Sequence, residues 1–168
     1  MQRLIMLALF LTLGSAYAFA QNSQFKALFL YNFAQNIFYP EGSVNGKFTI
    51  TVIGDSEVAS ELKELAKSRK VGSNTLIIKE TNSLDNNEDS QIIYLADSQS
   101  NQMPMLQSKL KDKPVLLVGN KQGLHVQGAG ICFVMVDGKL RFEICPKNIE
   151  EHGIKCSSKL TSLGIAVN

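Results

Sequence analysis

The sequence has 168 residues, of which 17 are basic and 15 are acidic, and 45% of them are hydrophobic. The nearly neutral charge and the scattered lysines argue against a nucleic-acid partner, since proteins of that class carry a dense basic face. The length suits a single domain with a hydrophobic core of its own.

The first twenty residues have the organisation of a secretory signal peptide. Arg3 gives a positive start, residues 4–13 form an apolar run, and two overlapping small-residue cleavage sites lie within residues 16–20. The apolar run is shorter than the about 20 residues that a transmembrane helix needs. We predict cleavage after Ala20 and release of residues 21–168 into the periplasm of a Gram-negative bacterium, with an uncleaved N-terminal anchor as the alternative.

Helical spacing opens the mature chain. Phe25, Phe29, Phe33 and Ile37 recur every four residues, and Pro40 is expected to stop the helix. The apolar face is wide, which predicts burial on more than one side. Core packing is therefore favoured over a partner-binding role for this face.

Apolar and β-branched runs then alternate with amphipathic helical segments. Strands are predicted at 48–53, 75–78, 91–96 and 115–119. One helix is predicted after Asp55 or Ser56, with Val58, Leu62, Leu65 and Ala66 on one face, and another from Pro104 onward. Continuously apolar strands that alternate with helices predict a largely parallel sheet with helices on both faces. The expected fold is a single three-layer α/β domain with a mixed, mostly parallel sheet.

A β-hairpin is predicted to extend that sheet near its C-terminal end. Residues 131–136 and 139–145 flank Asp137-Gly138, which favours a two-residue turn. Such a turn pairs Phe133 with Phe142 and makes one face of the ribbon wholly apolar. The opposite face carries Cys132, Lys139, Arg141, Glu143 and Cys145. We therefore expect a half-buried antiparallel ribbon at one edge of the sheet, followed by short helices at 146–151 and after Ser157.

Gly54-Asp55-Ser56 is the candidate ligand crevice. It follows the first predicted strand and opens a helix, which is where α/β sheets often bind ligands. It lacks the other glycines of a dinucleotide fingerprint and the lysine of a P-loop. Helix capping by Asp55 or Ser56 is the favoured interpretation.

Catalytic and metal-binding patterns are not recognisable in the sequence. Neither His125 nor His152 has a second metal ligand at a useful spacing, and solvated structural roles are expected for both. No nucleophile-elbow pattern occurs. We therefore expect no enzyme activity, no cofactor and no metal site.

Three cysteines, Cys132, Cys145 and Cys156, are expected to meet an oxidising compartment, where a disulfide is favoured and one thiol is left over. The hairpin register places Cys132 opposite Glu143 and hence diagonal to Cys145, a spacing wider than a disulfide normally accepts. Cys145–Cys156 and Cys132–Cys145 pairing both remain open, as does the presence of three free thiols.

Six segments occur in an order that is informative together. They are Lys26–Ala34 with Tyr39-Pro40, Phe48–Gly54, Lys113–Gly119, Gly130–Val134, Arg141–Ile144 and Ile154–Leu160. In these segments the chain resembles the YfiR family of small periplasmic proteins over nearly all of its mature length. The family usually has Trp at the position of Tyr39 and Asn at those of Cys132 and Cys145. The resemblance implies structural roles for Phe29, Tyr31, Asn32, Phe33, Tyr39, Pro40, Gly130, Phe133, Phe142, Glu143, Ser158, Lys159 and Leu160.

The resemblance also implies a regulatory function. YfiR-like proteins restrain an inner-membrane diguanylate cyclase through its periplasmic sensor region, and an outer-membrane lipoprotein can sequester them. Cyclic di-GMP output and biofilm formation follow. The resemblance also implies that some members act with sensor histidine kinases and that the protein can form a homodimer. The alternatives are a module that binds a nucleotide or anion in the Gly54-Asp55-Ser56 crevice, and a hydrolase or redox enzyme built on an exposed cysteine.

Overall fold

The computed structural model describes residues 22–168, so the predicted signal peptide at residues 1–20 lies outside the described part of the chain. Within residues 22–168, a curled, mixed sheet of eight strands carries helices on both faces. This confirms the predicted three-layer α/β class. No helix of these residues is long and apolar enough to cross a membrane.

The helices of the described residues include five α-helices and two short 3-10 helices. The α-helices are α1 (22–36), α2 (Ser56–Ala66), α3 (Met103–Lys109), α4 (Pro146–Glu151) and α5 (Ser158–Leu163), and the 3-10 helices are Asp97–Gln102 and Leu124–Gln127. The strands are β1 (Ile37–Phe38), β2 (Lys47–Ile53), β3 (Lys70–Val71), β4 (Asn74–Thr81), β5 (Ile92–Leu95), β6 (Leu116–Gly119), β7 (Ile131–Val136), β8 (Lys139–Ile144), β9 (Lys155–Cys156) and β10 (Ile165–Ala166).

The strand order of the large sheet is β10-β8-β7-β6-β5-β2-β4-β3, and β1 and β9 form a separate two-stranded pair. β4, β2, β5, β6 and β7 run parallel to one another. The chain steps outward from β2 to β4 and then crosses back to β5. The carboxyl ends of β2 and β5 therefore meet at the point where the strand order reverses.

The core lies on both faces of the sheet because successive side chains of a strand point to opposite sides. Along β5, Ile92 and Tyr94 face a cluster that includes residues of α1, α2, α4 and α5, whereas Ile93 and Leu95 face a second cluster that includes residues of α3. All four side chains are fully buried. Strands that are apolar at every position are thus explained by burial on two sides.

The predicted hairpin register is confirmed. Phe133 pairs with Phe142 across β7 and β8, and the turn residues Asp137 and Gly138 have φ angles of 50° and 72°. The expectation of a half-buried edge ribbon is wrong at the base of the hairpin. Cys132 and Glu143 are buried there, because β6 and β10 flank the ribbon and helical segments cover both faces.

Helix α1 ends earlier than predicted. The chain leaves the helix after Asn36, four residues before Pro40, and β1 then pairs with β9. The backbone carbonyl of Asn36 accepts a hydrogen bond from the Ser157 N–H at 2.9 Å. This long-range bond takes the place of the N–H that would bond this carbonyl if the helix continued. The predicted apolar stripe is also incomplete as a core face, since Phe25 at its start is exposed.

Candidate functional site

An aromatic cluster fastens α1 to the C-terminal hairpin. The ring of Phe33 lies 5.0 Å from that of Phe142 and 5.9 Å from that of Phe133, measured between centroids. The ring of Phe29 lies 5.7 Å from that of Phe142 in an edge-on arrangement. Phe33 is completely buried, so these aromatic residues of the family segments form core packing at the place where α1 meets the sheet.

An open apolar groove continues from this cluster to the surface. We call it the hairpin groove; it has a volume of about 650 Å³ and lies between the first turns of α1 and the turn end of the hairpin. It is lined by Asn22, Phe25, Phe29, Met135, Gly138, Lys139 and Leu140. The side chains of Phe25 and Met135 are 45% and 58% exposed. An exposed apolar concavity of this kind is typical of a binding surface.

Sequence reasoning missed the hairpin groove. The periodicity of α1 assigned Phe25 to the core, and alternation along the hairpin assigned Met135 to the buried face of the ribbon. The directions of both side chains agree with those assignments. However, no element of residues 22–168 covers the turn end of the hairpin, so Phe25 and Met135 at the ends of the two apolar faces are exposed.

The predicted Gly54-Asp55-Ser56 crevice is built around an internal cap. One carboxylate oxygen of Asp55 accepts a hydrogen bond from the Val58 N–H at 3.1 Å, and the other accepts one from the Tyr94 hydroxyl at 3.0 Å. Asp55 is therefore the N-cap of α2, as one of the two predicted alternatives had it, and Ser56 is the first helical residue. Gly54, with a φ of 79°, leaves room for the side chain of Gln99 at the reversal of strand order.

The electrostatics of this crevice do not favour an anion. The open space of about 500 Å³ beside Asp55 is lined by polar side chains of α2 and β4. Its lysine, Lys63, lies 2.5 Å from the carboxylate of Glu80 and is thereby neutralised. The carboxylate of Asp55 already occupies the positive end of the helix dipole, which is where a phosphate would bind.

A cluster of three metal-ligand residues lies on the other side of the hairpin. A ring nitrogen of His125, the Sγ of Cys132 and a carboxylate oxygen of Glu143 all lie within 4.8 Å of one another. The 3-10 helix Leu124–Gln127 supplies the histidine, and paired positions of β7 and β8 supply the other two. The cluster corrects the expectation that neither histidine has a metal ligand nearby.

Burial shapes the chemistry of this cluster. The side chain of Glu143 is only 8% exposed, and it accepts hydrogen bonds from Gln122 Nε2 at 3.2 Å and from the Gly123 N–H at 3.1 Å. Burial and the neighbouring carboxylate of Glu143 raise the pKa of Cys132 to about 12. The thiol is therefore protonated at neutral pH and is not an activated nucleophile.

The remaining thiols and His152 have structural environments. Cys132, Cys145 and Cys156 are all free thiols, so the expected disulfide finds no support in the described residues. Cys145 is buried, and Cys156 is half-buried with its Sγ 3.3 Å from Thr161 Oγ1. His152 is buried with Nδ1 3.1 Å from the carbonyl oxygen of Lys113, which corrects its predicted solvated role. His125 is likewise mostly buried, with 17% of its side chain exposed.

Several other residues of the family segments also connect elements, whereas some are exposed. The Tyr39 hydroxyl donates to the carbonyl of Gln91 at 2.7 Å, and burial raises the pKa of that hydroxyl well above its ordinary value of 10. The Tyr31 hydroxyl donates to the Lys70 carbonyl at 3.0 Å. Gly130 is packed so closely that an added Cβ would lie 2.7 Å from the Ile149 side chain. Leu160 is buried, whereas Asn32, Pro40, Ser158 and Lys159 are exposed.

These features define a small three-layer α/β domain that offers an open apolar groove. The family model DUF4154, described as YfiR/HmsC-like, matches residues 23–165, and the chain belongs to this family. It is a periplasmic regulatory family whose members act with membrane signalling proteins. Membership of this family suggests a periplasmic regulator of cyclic di-GMP signalling.

Comparison with solved structures and with proteins of known function gives no further argument about the role of the chain. The chain is similar to a solved conserved domain protein from Vibrio cholerae O1 biovar El Tor, with 16% sequence identity and a TM-score of 0.49. The similarity covers 74% of this chain and 55% of that one, so the chain spans little more than half of the solved protein. No protein with a curated functional description matches the chain significantly.

Proposed function

We propose that the protein is a non-enzymatic periplasmic regulator, exported by the signal peptide at residues 1–20. It represses an inner-membrane signalling protein by binding the periplasmic sensor region of a diguanylate cyclase or a sensor histidine kinase. The observation that carries this proposal is the hairpin groove, read together with membership of a regulatory family. Binding would favour one conformation of the sensor and thereby lower the population of its active state.

The groove has the composition expected of a protein-binding site. Phe25 and Met135 present large apolar side chains on either side of it, and Lys139 and Asn22 supply a polar rim. Aromatic residues and methionine are enriched in protein interfaces relative to the rest of the surface. Methionine also adapts its shape to a partner surface.

A role without catalysis agrees with the chemistry of the described residues. The thiol of Cys132 is buried and held protonated, as its raised pKa of about 12 indicates. The Asp55 carboxylate is used as a helix cap and as the acceptor for Tyr94. Of the three cysteines on which an enzyme could be built, Cys132 and Cys145 are buried and Cys156 is half-buried, which supports a binding function.

Crosslinking in intact cells tests the proposal. The tagged protein is crosslinked, and the captured inner-membrane proteins are identified by mass spectrometry. We expect a cyclase or histidine kinase, captured through its periplasmic region, and a change in its output when the gene is deleted. Capture of an outer-membrane lipoprotein or of a second copy would identify the other partners that the family resemblance implies.

Two exposed methionines test whether the hairpin groove is the contact surface for the partner. Met135 in the groove is 58% exposed, and Met105 on α3 is 63% exposed and does not line the groove. Met135→Glu should abolish capture and derepress the partner, whereas Met105→Glu should leave both unchanged. Equal effects of the two variants would reject the groove as the contact surface. Failure to capture any signalling protein, with normal expression and export, would reject the regulatory role and favour the alternative, a ligand-binding module at Gly54-Asp55-Ser56.

A further inference from the structure

We propose that His125, Cys132 and Glu143 form a binding site for Zn²⁺. The site is separate from the hairpin groove and does not depend on the proposed regulatory function. It rests on the positions of three side chains from three different elements, which the fold brings together beside the base of the hairpin.

The distances fit a single ion. Zinc binds nitrogen and oxygen at about 2.0–2.2 Å and sulfur at about 2.3 Å, so the ligand atoms of a tetrahedral site lie roughly 3.3–3.7 Å apart. The Nδ1 of His125 lies 3.5 Å from an oxygen of Glu143, and all three ligand atoms lie within 4.8 Å of one another. Small rotations of the side chains would therefore close the set around an ion without moving the strands.

An unsatisfied polar atom points to the same position. His125 Nδ1 is buried and has no hydrogen-bond partner, although the carboxylate of Glu143 is 3.5 Å away. A buried polar atom without a partner is costly, and each one in a native fold calls for an explanation. A zinc ion would accept the lone pair of the neutral imidazole and remove this cost.

The charges favour a divalent cation. Glu143 is buried, and no lysine or arginine of residues 22–168 pairs with it. A buried carboxylate without a cation is destabilising. On binding zinc, the Cys132 thiol would release its proton to solvent, and the ion with this carboxylate, the resulting thiolate and a neutral His125 would form a site with no net charge. The set of nitrogen, sulfur and oxygen ligands selects zinc over calcium and magnesium, which prefer oxygen alone.

Neighbouring groups already orient the ligands. Gln122 and the backbone of Gly123 donate hydrogen bonds to the Glu143 carboxylate. The backbones of His125 and Leu124 form hydrogen bonds with the Cys132 sulfur. Such outer contacts are a regular part of zinc sites, because they fix the ligands and tune their basicity. Three protein ligands leave the fourth position of the ion to water.

Metal titration of the purified protein tests the site. We expect Zn²⁺ in 100-fold excess over its dissociation constant to raise the melting temperature by roughly 5–10 °C. Co²⁺ should bind at the same site and produce a thiolate-to-cobalt charge-transfer band, which reports directly on a cysteine ligand. Both signals should be lost in Cys132→Ser and in His125→Gln. Gln122→Ala should weaken Zn²⁺ binding about 10–100-fold while the ligand set remains.

Cys145→Ser is the matched control, since Cys145 is a second buried thiol outside the ligand set. It should keep the thermal shift and the charge-transfer band of the wild type. An equal shift in Cys132→Ser, or loss of the band in Cys145→Ser, would overturn the assignment. Absence of the band and of any shift in the wild-type protein would overturn the zinc assignment and leave only the 3.5 Å contact between His125 and Glu143. The wild-type spectrum decides the question even if a ligand variant fails to fold.

Discussion

Asp55→Ala tests whether the Gly54-Asp55-Ser56 turn is structural. The substitution removes the N-cap of α2, which costs about 1 kcal/mol in typical proteins. It also leaves the hydroxyl of Tyr94, a fully buried residue, without its acceptor, which costs about 1–3 kcal/mol. We expect the free energy of unfolding to fall by about 2–4 kcal/mol, since both oxygens of the carboxylate are engaged.

A double-mutant cycle separates the contribution of the helix cap from that of the Tyr94 hydrogen bond. In the Tyr94→Phe background no hydroxyl is left unsatisfied, so Asp55→Ala should cost only the cap, about 1 kcal/mol. Urea unfolding at pH 7, followed by circular dichroism, measures all four proteins. Ser56→Ala is the control: Ser56 is exposed and does not cap α2, and its substitution should change stability by less than about 0.5 kcal/mol.

Two results would refute this reasoning. One is a cost of Asp55→Ala below about 0.5 kcal/mol, because the cap and the Tyr94 bond would then contribute nothing. The other is an equal cost in both backgrounds, because the two residues would then be energetically independent. The first result would return the crevice to consideration as a ligand site, whereas the second would leave the cap in place and reject only the contribution of the Tyr94 hydrogen bond.

Three further predictions concern Tyr94, the cysteines and Phe33. Burial and the neighbouring Asp55 carboxylate raise the pKa of Tyr94 above 10. The contribution of Tyr94 to the free energy of unfolding is therefore complete below about pH 10 and falls above it by about 1.4 kcal/mol per pH unit. In Tyr94→Phe the melting temperature should depend less on pH above 10. At pH 8 a disulfide reagent should titrate Cys156 alone in the native protein, and fast reaction of buried Cys132 would contradict its pKa of about 12. Phe33→Ala should cost about 3–5 kcal/mol in urea unfolding, against less than about 1 for exposed Phe25→Ala.

Local signals predicted the framework of the fold. The turn residues Asp137-Gly138 adopt positive φ angles, so they fixed both the hairpin and its register. The strands β5 and β6 were recognisable because burial on both faces leaves no charged positions in them. Pro146 and Ser157 likewise mark the starts of α4 and α5, where the structure places them.

The two-residue strands were not predictable because they have no local signal. β1 and β9 exist only through their mutual pairing, and β10 only through its pairing with β8. The same limit explains the early end of α1, where a contact between Asn36 and Ser157, more than a hundred residues apart, decides the boundary. Tertiary partners override helix periodicity at such places.

The His125 cluster could have been found in part. The predicted register already placed Cys132 opposite Glu143, which is two of the three ligands. His125 precedes Cys132 in a loop whose path depends on the packing of Leu124 against Gly119. A search of the sequence for metal-ligand spacings fails because paired strands and a connecting loop, instead of one short motif, bring the residues together.

Alternation along the hairpin separates the two proposed sites. Phe133 and Phe142 face α1 and the groove, whereas Cys132 and Glu143 face the opposite side of the sheet. A zinc ion can influence the groove only through the backbone of β7 and β8, since no side chain belongs to both sites. We expect Zn²⁺ to change partner capture by less than the roughly 5-fold that marks allosteric coupling. Capture assays with and without the metal measure this factor, and a larger change would show that the hairpin itself has two arrangements.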